Sequence, residues 1–436
     1  MIKKIPLHWS IMLGMILGVG VGALFTTFEA GPKLISDWVK PFGTIFINAL
    51  KLIAMPLILG SLIKGVSDLK DISRLSQMGG RTIGIYIITT VVAVSIGLVM
   101  VNTLKPGASI SEDTRQELIV AYQSDAAEKQ AVAQKQKDAG PLQALVDMVP
   151  DNIFKATTEN GNMLQVIFFA LFFGIGLILI PEEKSKPVKD FFDAFNEVIL
   201  KLIDLIMLVA PYGVFALLAA LVVESPSLDL FRALGMYALT LVIGLILMGL
   251  FYLLSVRLFV KFKPRKFIEG IAPAQLLAFS TSSSAATLPV TMERVEEHLG
   301  VDEEVASFVL PIGATINMDG TSLYQAVAAV FIAQAFGMDL SLGTQLGIIL
   351  TATLASIGAA AVPGAGMVML VIVLGQAGIP EAGLALIFAI DRPLDMCRTV
   401  VNITGDASVS MIVAKSLGKL HKRPKEKKWD DHYPKK

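Results

Sequence analysis

The chain of 436 residues contains one cysteine, four histidines and few charges, with only 17% Asp, Glu, Lys and Arg. A lone cysteine, Cys397, excludes an internal disulfide framework and any multi-cysteine metal site, and it is read as a small buried filler. His8, His298, His421 and His432 all lie near ends or loops, which argues against zinc chemistry and against a Ser-His nucleophile despite the run Ser282, Ser283, Ser284. No sign of charge dominates: Lys plus Arg and Asp plus Glu each number 37, so nothing points to nucleic acid as a partner. What the chain has in abundance is apolar surface. Hydrophobic residues make up 54% and the mean hydropathy is +0.67, which indicates residence in a lipid bilayer.

Residues 8–28, after Lys3 and Lys4, have the look of a signal peptide, but the run is long and lacks an A-x-A site, so it is read as a retained first span. Further runs at 41–63, 82–104, 162–181, 192–223 and 232–260 bring the conventional spans to six. Lys64, Lys70, Arg74 and Arg81 fall on one side with Lys184, Lys186, Lys189 and the cluster Arg257, Lys261, Lys263, Arg265 and Lys266. By the bias of basic residues that side is cytoplasmic, together with both termini. The polar stretch 105–147 is then an extracellular, partly mobile loop, and the tail 416–436 is a basic cytoplasmic anchor.

After residue 265 small polar clusters interrupt the apolar segments. "FSTSSSAATLPV" (279–290) and "SIGAAAVPGAGMV" (356–368) each combine small residues with a proline, which predicts two half-helices meeting at a re-entrant tip. Each is followed by a helix carrying a similar breaker, "NMDG" at 317–320 and "NITGD" at 402–406, so that hairpin and helix recur as an internal repeat. Paired interrupted segments point to a transporter's binding site.

Within "DRPLDMCRTVVNITGDA" (391–407), Arg392 and Pro393 are read as the start of a helix. Asp391, Asp395, Arg398, Asn402 and Asp406 then fall on one face of it. Charges at membrane depth cost several kcal/mol each, so these groups and Asp319 are expected to face protein or water and to be functional. Arg398 offers a fork for a carboxylate and Asp395 a partner for an ammonium group, which together suit an acidic α-amino acid. Asp319 and Asp406 lie beside backbone-breaking sequences where only oxygen ligands converge, a set suited to a hard cation such as Na+. With Asp391 offset by Arg392, the site would carry −2 empty and −3 with an acidic amino acid, and three Na+ would bring it to zero.

The set "TSSSAATLP", "NMDGTSLYQ", "AAAVPGAG" and "DMCRTVVNITGD", in this order after six helices, closely resembles the glutamate transporter family, the dicarboxylate/amino acid:cation symporters. The resemblance implies an all-α membrane protein with eight transmembrane helices, two re-entrant hairpins and inverted repeats. It implies a homotrimer in the inner (plasma) membrane working as an elevator: 1–80 and 148–225 mainly a trimerisation scaffold, 81–104 and 228–415 mainly a moving transport domain. Its substrate contacts fall on Ser283, Ser284, Thr321, Val362, Gly366, Asp395, Arg398, Thr399 and Asn402. Its sodium ligands fall on Gly313, Asn317, Asn402 and Asp406 for one ion, and on Tyr86, Thr89, Thr90, Asn317 and Asp319 for another. A third ion uses backbone oxygens near Thr315, Met318, Ser356 and Ala359.

Arg398 favours an acidic substrate, L-aspartate or L-glutamate, over a neutral one, and Asp395 with Asp406 favours an amino group and Na+ over a C4-dicarboxylate. Gln325 stands where proton- and potassium-coupled members carry glutamate, which removes a proton carrier at that position. Ser282 and Met396 occupy the two positions where members of the family place a second arginine. An intramembrane aspartyl protease and a channel are the rival readings. The first needs two carboxylates sharing a proton, and the second has no use for an Asp395–Arg398 pair. The sequon Asn402-Ile403-Thr404 lies at membrane depth, where no glycan is added.

Overall fold

The computed structural model describes residues 7–68, 76–121, 149–158, 163–224, 228–357 and 364–421. Every regular element among them is helical, apart from an isolated bridge between Val301 and Leu420. Hydrocarbon offers the backbone no partner, so a chain this apolar must bond to itself turn by turn.

In chain order the first helices are α1 (Leu7–Phe25), α2 (Lys40–Asp68), α3 (Ser76–Leu104), α4 (Glu112–Ala121), α5 (Met163–Leu179), α6 (Glu182–Glu224) and α7 (Leu228–Ser255). The segment expected at 192–223 is the latter part of α6, which begins ten residues earlier; Glu182 and Glu183 suit the positive end of its dipole. A 47° bend divides it into Glu182–Ile203 and Leu208–Val223, one turn before Pro211, whose ring cannot accept the carbonyl four residues back. Among the described residues, the stretches Gly31–Lys64, Met78–Ser109 and Asp229–Val260 are long and apolar enough to cross a membrane, and the bent pair makes a fourth.

α1, α2, α5 and α6 pack chiefly on one another. The closeness of α1 to α6 comes from small residues four apart, because a methyl on Gly14 would fall 2.4 Å from the carbonyl oxygen of Pro211 and one on Gly18 2.6 Å from that of Phe215. The extracellular loop expected at 105–147 is ordered at its start. Pro106–Ser109 form a helical turn, Pro106 and Gly107 are buried, the Gly107 N–H donates to Gln334 Oε1 at 3.0 Å, and α4 follows. Residues 122–148 lie outside the described residues.

The first interrupted segment forms a helix pair, α8 (Pro264–Thr281) and α9 (Ser284–Glu293). They meet at Ser282, in the left-handed region at φ +51°, and at extended Ser283, whose Oγ accepts from the Ala286 N–H at 3.2 Å and caps α9. α10 (Glu303–Ile316) and α11 (Asp319–Ala335) break at Asn317 and Met318, as "NMDG" predicts. α12 (Leu342–Ile357) and α13 (Ala365–Ala377) flank the second interruption. Its tip, including Ala359 and Val362, lies outside the described residues.

α14 (Leu384–Leu417) corrects two expectations. It starts well before Arg392 and Pro393, because Leu384, Leu386 and Ile387 are buried and hold the added turns in the core. It also runs through "NITGD" without a break. Gly405 faces the Tyr252 hydroxyl so closely that a methyl there would lie 2.4 Å from it, and this packing on α7 outweighs the ~1 kcal/mol that glycine costs a helix. α14 packs on α7, α8, α10 and α11, with further contacts to α6 and α1.

Candidate binding site

The heptad-like spacing on α14 places Asp391, Asp395, Arg398, Asn402 and Asp406 on one inward face, each at 7% exposure or less. Arg398 is wholly buried. Its Nη1 donates to Asp391 Oδ1 and its Nη2 to Asp395 Oδ1, both at 2.8 Å. Its guanidinium carbon lies 3.7 Å from the centre of the Tyr324 ring on α11, a cation–π contact strengthened by the absence of water. The other oxygen of Asp395 accepts from Arg392 Nη1 at 3.2 Å and from the Gly364 N–H, beside the second interruption, at 3.3 Å. The expected offset of Asp391 by Arg392 is therefore corrected: Asp391 pairs with Arg398, seven residues on, and Arg392 pairs with Asp395, three residues on along the same helix face.

One turn further along α14, Asn402 reads the broken segment between α10 and α11. Its Oδ1 accepts from the Gly320 N–H at 2.8 Å and its Nδ2 donates to Thr321 Oγ1 at 3.3 Å. A methyl on Gly320 would lie 2.4 Å from the Arg398 carbonyl, so only glycine lets the two backbones meet here. A methyl on Gly366 would lie 3.0 Å from Thr321 Cγ2 and 3.8 Å from Arg398 Nη2, which puts Gly366, Thr321 and Arg398 around one point.

A second cluster of oxygens lies beside the first. Asn317 donates from Nδ2 to Asp406 Oδ1 at 2.9 Å and accepts at Oδ1 from Thr89 at 3.3 Å. Asp319 accepts from Thr90 at 2.6 Å and from the Tyr252 hydroxyl. The Tyr86 hydroxyl donates to the Val309 carbonyl at 3.0 Å. Gly313 stands between Tyr86 and Asp406, and a methyl there would fall 2.4 Å from each. All these groups are buried, and their donor set is oxygen alone, as a hard monovalent cation requires.

Four carboxylates, Asp319, Asp391, Asp395 and Asp406, thus meet two guanidinium groups, Arg392 and Arg398, leaving the buried network at −2 when all are ionised. Other predicted residues are placed less directly. Thr399 bonds back to the Asp395 carbonyl at 2.9 Å, Ser356 to the Thr353 carbonyl at 2.8 Å, and exposed Thr315 to the Ile312 carbonyl at 3.0 Å. The Met318 carbonyl already accepts from the N–H and the hydroxyl of Ser322 at 2.8 and 3.1 Å. Ser283 and Ser284 stand at the start of α9, which packs on α14. Cys397 is half-buried rather than a buried filler, because it lies on the flank of α14 that borders an apolar crevice.

Sequence reasoning missed Tyr324, Tyr252 and the true partner of Asp391. Tyr324 stands inside the quoted "NMDGTSLYQ", whereas Tyr252 is hidden in an apolar span with nothing local to mark it. Gln325, next to Tyr324, is fully buried with neither amide atom bonded.

Residues 7–416 match the family model described as the sodium:dicarboxylate symporter family. The chain is 36% identical over 425 residues to a proton/sodium-glutamate symport protein of Geobacillus stearothermophilus, covering 96% of each chain. It is 33% identical to a proton/glutamate-aspartate symporter of Escherichia coli, over 94% of this chain and 93% of that one. It is also 36% identical to excitatory amino acid transporter 3 of Mus musculus, over 94% and 85% respectively. With a match of this extent laid over a buried, oxygen-rich site of two linked clusters, the chain belongs to the sodium:dicarboxylate symporter family.

Proposed function

We propose that this protein is a secondary active symporter that couples inward cation flow, chiefly Na+, to uptake of an acidic amino acid, L-aspartate or L-glutamate. The observation that carries this reading is the wholly buried Arg398, held between Asp391 and Asp395 one helical turn from Asn402. A substrate carboxylate reaches the guanidinium by exchanging with one of these two, while its ammonium group takes Asp395, with Thr321, Gly366 and Asn402 around it. The names of the relatives, which join glutamate or aspartate to protons or sodium, support the same substrate class.

Na+ is cargo in this scheme. Asn317, Asp319 and Asp406, with Thr89, Thr90 and Tyr86, supply oxygens for it, and charge balance asks for three ions per substrate. A fixed scaffold from 1–80 and 148–225 and a mobile part from 81–104 and 228–415, in a homotrimer with cytoplasmic termini, complete the proposal as an elevator in the plasma membrane. Its support is that α1, α2, α5 and α6 pack mainly among themselves while α3 packs on α7 and α11.

The deciding experiment is uptake of labelled aspartate, glutamate, succinate and serine into proteoliposomes under separate Na+, H+ and K+ gradients. Acidic uptake driven by Na+ and lost in choline supports the proposal. Succinate as the preferred substrate, or uptake indifferent to Na+, overturns it.

A further inference from the structure

An apolar crevice of about 470 Å3 lies on the flank of α14 turned away from the binding row. Its walls are α7 from Val242 to Leu253, α8 from Phe267 to Phe279, and α14 from Cys397 to Thr404. The polar groups at its base are satisfied internally, since Gln275 Nε2 donates to Thr404 Oγ1 at 2.9 Å. The mouth is open: Ile246 and Leu250 on its rim are 57% and 53% exposed, and a methyl on Gly249 would meet nothing within 4 Å.

At one end, α7 and α8 are joined by a short turn that passes through Lys261 in the left-handed region, φ +60°. The turn and the residues flanking it carry Arg257, Lys261, Lys263, Arg265 and Lys266, all exposed. Of the five, only Arg265 has an ion-pair partner among the described residues, Glu269 at 2.8 Å. Along α7 the crevice runs from Leu253, about two helical turns (~12 Å) before Lys261, to Val242, about 16 Å at 1.5 Å per residue. That is half of the ~30 Å hydrocarbon core, the depth of one leaflet.

We propose that the crevice is a site for an anionic diacyl phospholipid, with its phosphate on the lysines of the turn and an acyl chain lying against Gly249, Leu250 and Ile268. Apolar walls alone would take any lipid tail; the unpaired cations at one end select the headgroup charge. The occupant packs behind Arg398, at Cys397 and Val401, and so braces the helix that carries the binding row. The site requires only that the chain resides in a bilayer, and its test does not involve uptake.

The full chain is placed in nanodiscs of phosphatidylglycerol or of phosphatidylcholine, and lipid retained after detergent release is counted by native mass spectrometry. Maleimide labelling of Cys397, the chain's single cysteine, reports occupancy of the crevice wall. Phosphatidylglycerol is expected to be retained over phosphatidylcholine and to slow the labelling. Removing Lys261, Lys263 and Lys266 as glutamines should weaken retention about fivefold per charge. Gly249→Leu, which fills open space on a helix, should restore phosphatidylcholine-like retention with the lysines intact. Equal retention of both lipids refutes the headgroup site. Selective retention that survives Gly249→Leu refutes the crevice as the seat of the chain. Protection of Cys397 that persists after delipidation shows that protein covers the crevice, and refutes the lipid.

Discussion

Replacing Arg398 by alanine separates the two things its guanidinium does. In the protein it holds Asp391 and Asp395 at 2.8 Å each, with no exposure to water. Removing it leaves Asp395 to Arg392, takes from Asp391 its guanidinium partner and takes the network from −2 to −3, a loss of about 3–5 kcal/mol for breaking a buried pair from one side. For transport the loss is the contact with the substrate carboxylate, about 2–5 kcal/mol, which at 1.4 kcal/mol per decade is at least a ~30-fold fall in acidic substrate affinity. The two effects are told apart by the double variant Asp391→Asn/Arg398→Ala, which returns the net charge to −2. Its thermal midpoint should recover much of the lost stability while aspartate and glutamate uptake stays depressed. Uptake of serine, which needs no guanidinium, should be retained or gained in both variants. The measurement is initial-rate uptake into proteoliposomes over a range of substrate concentrations, with melting followed on the same samples. Acidic uptake by Arg398→Ala within threefold of the unmodified protein would refute this account of the site.

Asp406→Asn, which removes a charge but keeps an acceptor for Asn317, should raise the Na+ concentration needed for half-maximal uptake at least ~10-fold, seen in a Na+ titration at saturating aspartate. Gly313→Ala puts a methyl 2.4 Å from both Tyr86 and Asp406; it should cost about 1–3 kcal/mol in stability and weaken Na+ dependence while leaving the ranking of substrates unchanged. Gln325→Glu places a titratable carboxyl where neither amide atom has a hydrogen-bond partner. Uptake should become more steeply pH-dependent than in the unmodified protein, measured with Na+ held constant, and an unchanged pH profile would refute a proton-carrying role for this position.

Much of this site is legible in the sequence because membrane depth makes polar residues costly. The row from Asp391 to Asp406 follows from helical spacing, and the break at Asn317 follows from a glycine and short polar side chains in an apolar run. What escapes is pairing. Arg392 lies three residues from Asp395, and Arg398 three from Asp395 and seven from Asp391, and nothing in the spacing says which aspartate each takes. The same limit explains why "NITGD" is misread as a break. Gly405 looks like a helix breaker until Tyr252, from a helix far away in sequence, is found pressed against it. Tyr252 also bonds Asp319, so one residue without a local signal both packs against α14 at Gly405 and helps place that buried carboxylate.

The geometry also offers a physical link by which ion and substrate loading would be coupled under the proposed function. Asn317 joins Asp406 on α14 to Thr89 on α3, and two residues later Asp319 joins Thr90 to Tyr252. The next residue, Gly320, rests on the Arg398 carbonyl and bonds Asn402, whose amide also holds Thr321. The broken segment between α10 and α11 therefore carries, over five consecutive residues, the proposed ion ligands Asn317 and Asp319 and the proposed substrate contact Thr321. Pulling Asn317 or Asp319 onto a cation moves Gly320 and Thr321 with them, since a close-packed interior leaves no slack between them. Coupling of this kind is reciprocal. Asn402→Ala, which cuts the link from segment to helix while sparing every charge, should lower the factor by which Na+ raises aspartate affinity and, by the same factor, the effect of aspartate on Na+ affinity. Measuring both in one calorimetric or fluorescence titration series tests the link, and an unchanged coupling factor in Asn402→Ala would assign it elsewhere.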